Sequence, residues 1–259
     1  MESAASRPPR GGPQAGIAAP LSRRLLLLGL SATALDLASV YVKIPLGSSG
    51  LTIGDLIDFL GTYALLGCVL WVAHGAIQRV NVPGSARATA LLLIAGATYA
   101  LGRGIHVAAN SIHDRADRVG PATLGPLLNL WDEHIGHYLA DGGRSGFAVG
   151  LTLLEAAGLR AYVGSDREPA AERAPLVIGA LAYGFITFAN AVEGQTVPLA
   201  LPFALGYVFV DLRSRWRAAP RTSVRAFFAV SSGTALALFA VWGVWHGGFP
   251  EFSHVGLIP

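Results

Sequence analysis

Two stretches of the chain set imidazoles and carboxylates at helical spacing. At about 100° per residue, Arg103, His106, Asn110, His113 and Asp114 fall within an arc of about 100°. In the segment LWDEHIGHYLAD, Glu133, His134, His137 and Asp141 share an arc of about the same width. Two such helices packed side by side would turn their polar stripes toward each other. Imidazoles and carboxylates together suit Zn, Fe, Mn or Cu. Helix-borne His/carboxylate pairs three or four residues apart are also how metal sites are built inside bundles. The chain has no HExxH motif, and its single cysteine, Cys68, excludes a disulfide framework and a Cys-based zinc site.

The elements that must position these residues are membrane spans. Only 14% of the residues are charged, against about 25% in soluble domains, so a single water-soluble core is excluded. Apolar stretches of roughly bilayer length cover residues 25–44, 53–78, 89–110, 127–160, 174–194, 198–211 and 224–246. Residues 1–21, rich in Pro, Gly, Ala and Ser, read as a disordered cytoplasmic tail, and 22–259 as one transmembrane domain. The fourth stretch is long and contains Gly142-Gly143, so it could be one helix or two. Charge favours one. With a single crossing there, Arg23-Arg24, Arg79 and Arg87, Arg160 to Arg173, and the arginines of 213–225 all lie on one side. Two crossings would split them against the positive-inside bias. The fold class is therefore an all-α, seven-helix membrane bundle, N-terminus inside and C-terminus outside, expected in the plasma membrane of a bacterium. Because the arginines report topology, the positive balance does not call for nucleic acid.

This topology gathers the polar groups. Six of the seven histidines fall toward the outer ends of spans: His106 and His113, His134 and His137, His246 and His254. Asp55, Asp58, Asp132, Glu193 and Glu251 follow the same bias. Polar groups inside a membrane are costly and face the bundle interior. Asp36, Arg103 and Arg144 read as intramembrane ion-pair partners, Lys43, Glu155 and Asp211 as side chains reaching an interface, and 114–118 as a charged outer turn.

Seven helices invite comparison with retinal proteins, but the only lysine, Lys43, is on the first helix, where a Schiff-base lysine would have to be on the last. The general layout resembles the seven-helix hydrolase superfamily of alkaline ceramidases and progestin and adipoQ receptors. That resemblance implies histidines and an aspartate holding zinc at one end of the bundle. The His-x3-His pair expected there in the last helix is absent, His246 and His254 being eight apart, so no residue roles are transferred.

The expected function is a metal-dependent membrane enzyme acting on a lipid or other amphipathic substrate, with hydrolysis preferred over oxidation. The candidate ligands are His106, His113, His134, His137, Asp141, His246 and His254, more than one ion accepts. The metal would be a divalent transition metal, Zn or Fe ahead of Cu or Mn, and would lower the pKa of a bound water toward neutrality. Glu133 or Glu193 would act as general base, with Asn110 or Asn190 polarising a carbonyl. The rivals are a hydrogen-bonded network that only stabilises the bundle, a metal or proton transporter, a haem-binding electron carrier, and a non-catalytic subunit. A transporter or two-haem carrier needs polar groups at both depths, and the inner half holds only His74 among the histidines. Reporter fusions test the topology: the 213–225 loop is expected inside and His254 outside. Both termini on one side would scatter the proposed cluster.

Overall fold

The computed structural model describes residues 20–47, 51–77, 85–119, 124–159, 173–217 and 222–258; the side chains of residues 85, 113–119 and 158–159 lie outside that description. The expected tail therefore falls outside it, except for residues 20 and 21. So do most of the arginine-bearing loops. Among the described residues eight α-helices follow one another: α1 (Leu21–Tyr41), α2 (Ile53–Ile77), α3 (Ser85–Val119), α4 (Leu124–Asn129), α5 (His137–Leu159), α6 (Arg173–Glu193), α7 (Val197–Trp216) and α8 (Ser223–His246). The short α4 runs into α5 through a π-helical stretch, Leu130–Gly136. Residues 124–159 are thus one rod, and Gly142-Gly143 do not break it. The third helix continues to Val119, so residues 114–118 extend a helix where a turn was expected.

Among the described residues, six helices are long and apolar enough to cross a membrane: α1, α2, Ala86–Ile112 within α3, α6, α7 and α8. The rod is not among them, because Asp132, Glu133, Asp141, Arg144 and Glu155 punctuate it. The radial distribution of side chains is that of a helical membrane protein. Leu93, Ile94 and Leu101 on α3, Phe209 and Val210 on α7, and Val241 on α8 point outward. Asp36, Asp58, Arg103, Asp132, Arg144 and Asp211 are buried. Water would penalise such an exterior, whereas acyl chains accept it, and the ionic groups turn inward as they must in lipid.

Small residues set the spacing of the helices that matter most. The largest interface joins α3 to α5 and the π stretch. A Cβ on Gly102 would lie 2.4 Å from the Ala140 nitrogen and 2.7 Å from the Gly136 oxygen, and one on Gly143 would lie 2.6 Å from the Tyr99 backbone nitrogen. The two backbones touch where these glycines face them, as small-residue packing in membranes allows. A similar crossing, Gly29 on Gly179, seats α1 on α6. Elsewhere α6 packs on α8, and α7 packs mainly on α8 while touching α5 and α6 sparsely. The segment after α8 folds back: Trp242 Nε1 donates to the Pro250 carbonyl at 3.1 Å, and Phe252 packs on Phe188 and Trp242.

Gly102→Ala is expected to destabilise the protein by about 1–3 kcal/mol, the usual cost of overpacking. Gly104→Ala, where a Cβ meets nothing within 4 Å, should leave the unfolding midpoint in detergent almost unchanged. Equal midpoints for both variants would show that the α3–α5 contact does not set helix spacing.

Candidate metal centre

The close approach at Gly102 and Gly136 delivers His106 of α3 against the first turn of α5. A Cβ on Gly136 would lie 3.1 Å from the His106 backbone nitrogen, and the His106 and His137 rings lie 4.5 Å apart, edge to face. The third partner comes from the π stretch. The His137 N–H donates to the Asp132 carbonyl five residues back, and Asp132 is buried. In an α-helix, residues five apart point about 140° away from each other. The wider π turn brings Asp132 onto the same face as His137. One ligand atom each from His106, Asp132 and His137 then lies within 4.8 Å of the others. π-Helical turns of this kind recur at functional sites.

The surroundings hold these groups firmly. His106 Nδ1 lies 2.5 Å from Asp132 Oδ1, and its Nε2 lies 3.6 Å from Asp58 Oδ2. Glu133 Oε2 lies 3.7 Å from His137 Nε2. Gly194, in the turn between α6 and α7, backs the His137 ring so closely that a Cβ there would lie 2.3 Å from Nδ1. Beneath the cluster sits an ion network. Asp36 accepts from Arg103 Nη2 at 3.2 Å, from Arg144 Nη2 at 2.5 Å and from Asn190 Nδ2 at 3.0 Å, while Arg103 also pairs with Asp58. Asp58 thus belongs to both the network and the histidine cluster.

The other expected site residues have different neighbours. His134 is exposed. Asp141 accepts from Thr196, which is fully buried in the α6–α7 turn. Glu193 accepts from the Phe252 and Ser253 amides at 2.8 and 3.3 Å, so its carboxylate holds the returning C-terminal segment. Glu251 of that segment pairs with Gln195, and the exposed His254 lies 3.6 Å from Glu251. His246 is exposed and stacks on Trp242 with ring centroids 4.1 Å apart. Asn190 serves Asp36, and Asn110 is half-buried one turn beyond His106. The His113 and Asp114 side chains lie outside the described residues. At the opposite end of the bundle, Asp211 is buried between Arg215 and Arg225, and Glu155 accepts the Val224 amide, so neither simply reaches for an interface.

Asp132 is the candidate ligand that helical spacing passed over, since a uniform 100° step separates it from His137. One signal is legible in retrospect. Asp132, Gly136 and Ala140 follow at intervals of four, and an α-helix would rotate such a series by about 40° per step. All three are buried against α3. No protein-family model, no curated protein and no solved structure matches the chain.

Two imidazoles and one carboxylate are a donor set used by catalytic zinc and by mononuclear non-haem iron, with positions left for water or substrate. The ion network below carries as many carboxylates as guanidiniums, so its charges cancel only as a whole. Asp36→Ala is expected to cost about 3–5 kcal/mol, because it strips both arginines of a shared partner. Equilibrium unfolding in mixed detergent reads this. A loss no larger than that of a surface substitution would mean that Asp36 does not hold the helices together.

Proposed function

We propose that this protein is a metal-dependent membrane enzyme, with hydrolysis of a lipid or other amphipathic molecule as its preferred chemistry. The observation that carries the reading is the convergence of His106, Asp132 and His137, from two helices and a π turn, within 4.8 Å. A divalent metal held there, zinc or iron, would activate a bound water and polarise the bond under attack. Glu133, 3.7 Å from His137, would serve as the general base there. Asp58 would orient His106, as carboxylates behind metal-bound imidazoles do. With the arginine clusters on one side, seven crossings and an inside N-terminus would open this site toward the outer leaflet.

A second reading draws on the same contact. The contact of His106 Nδ1 with Asp132 Oδ1 is also a hydrogen bond that needs no metal, and a purely structural polar network would use it as such. Metal analysis separates the two. Purified wild type is expected to carry zinc or iron stoichiometrically, and His137→Ala and Asp132→Ala to lose it while still folding. His134→Ala and His246→Ala should retain it. Glu133→Gln should keep the metal and abolish hydrolysis across a panel of lipid esters and amides. Wild-type protein that takes up no transition metal on reconstitution would leave the structural network as the better account.

A further inference from the structure

Helix α6 ends with its residues in an unusual order beside the candidate centre. The Thr196 amide returns to the Ala191 carbonyl at 2.9 Å and the Gln195 amide to the Val192 carbonyl at 3.4 Å. This pair of bonds closes a helix by putting one residue in the left-handed region, where glycine is the usual occupant. Here that residue is Gln195, at φ 52°, the only one other than glycine with a positive φ among the described residues. The glycine stands one position earlier. At Gly194 a Cβ would lie 2.3 Å from His137 Nδ1 and 2.5 Å from its Cγ, so the ring leaves no room for a side chain. A glutamine in the left-handed region is strained where a glycine is not, and such strain persists only where the surroundings hold it.

The C-terminal segment does the holding. Gln195 Nε2 donates to Glu251 Oε1, and on the other side of Gly194 the Glu193 carboxylate accepts the Phe252 and Ser253 amides. The segment is seated on α6 and α8: Trp242 Nε1 donates to the Pro250 carbonyl, Phe252 lies against Phe188 and Trp242, and Phe249 against Phe239. Thr196, next in the turn, donates to Asp141, one turn beyond His137 on α5. Gly194, which backs the His137 ring, is thus flanked by two residues tied to the C-terminal segment. We infer that residues 249–258 are a strap that positions the His137 imidazole. Glu251 holds Gln195 in its left-handed conformation, this fixes Gly194, and Gly194 limits the movement of the ring. Glu193, Gln195 and Glu251 are therefore positioning residues. Their part in catalysis rests on the metal-centre reading, whereas their hold on the ring does not.

The test is deuterium exchange at the histidine C2 positions, read by mass spectrometry on full-length, metal-free protein in nanodiscs. Glu251→Ala and Gln195→Gly should each speed exchange at His137 several-fold and leave the exposed His134 and His246 unchanged. Glu251→Gln, whose amide oxygen still accepts from Gln195, should keep the wild-type rate. Gln195→Gly also removes the backbone strain, so its unfolding midpoint should stay near that of wild type while His137 loosens; this variant decides if Glu251→Ala does not fold. Equal His137 rates in wild type and both variants would overturn the inference. So would faster exchange that comes in both only with a matching fall in midpoint, which is general loosening. Zinc titration reads the consequence for the metal: Glu251→Ala should bind about tenfold more weakly, the low end for groups that orient metal ligands. Wild type that takes up no zinc would remove the metal-centre reading, and the exchange rates would still decide the strap.

Discussion

Asp36 is the constraint on which the rest of the bundle depends. Its carboxylate joins α1 to α3 through Arg103, to α5 through Arg144 and to α6 through Asn190, and Arg103 carries the linkage to Asp58 on α2. Charges buried away from water cost several kcal/mol each, and only good geometry with complete hydrogen bonding offsets that cost. The network has one arrangement in which both arginines face carboxylates, and five helices must be in register to reach it. Apolar packing in lipid discriminates poorly between helix rotations, because acyl chains solvate leucine as well as another helix does. The ion network supplies the missing rotational information.

The site inherits its geometry from that register. Asp58 lies at the junction, paired with Arg103 on one side and near His106 on the other. Glycines at the α3–α5 contact bring the backbones close enough for His106 and His137 to meet, and Gly194 closes the third side of the His137 ring. Removing side-chain bulk at a few positions thus does as much to build the cluster as the clustered side chains themselves.

Much of this was legible in the chain before any coordinates. The apolar runs mark the helices, and the ion partners Asp36, Arg103 and Arg144 stand out because a lone charge in such a run needs a counter-charge. His106 and His137 follow from 100° periodicity on two facing helices. The part that was hidden has one main physical origin. A π turn has no composition of its own, so uniform periodicity assigned Glu133, His134, His137 and Asp141 to one face, where the structure turns Asp132 inward and His134 outward. The fate of Glu193 was hidden for another reason. It is occupied by backbone amides of a segment that returns after α8, and no local pattern encodes a partner 59 residues away.

The order of synthesis gives the Asp36 linkage a history. α1 leaves the ribosome before any of its partners exists, and Arg103 follows 67 residues later. At about 5–20 residues per second that interval is roughly 3–13 s. During it, a helix that bears an acidic group five residues before its end, costing less than the about 2.5–3.5 kcal/mol of a mid-bilayer position, must wait at the translocon or in the membrane. Arg144 and Asn190 arrive later still, 108 and 154 residues after Asp36. A nascent chain stalled before α3 would therefore present an unmatched intramembrane carboxyl, the kind of polar flag by which membrane quality control distinguishes an unfinished bundle from a finished one.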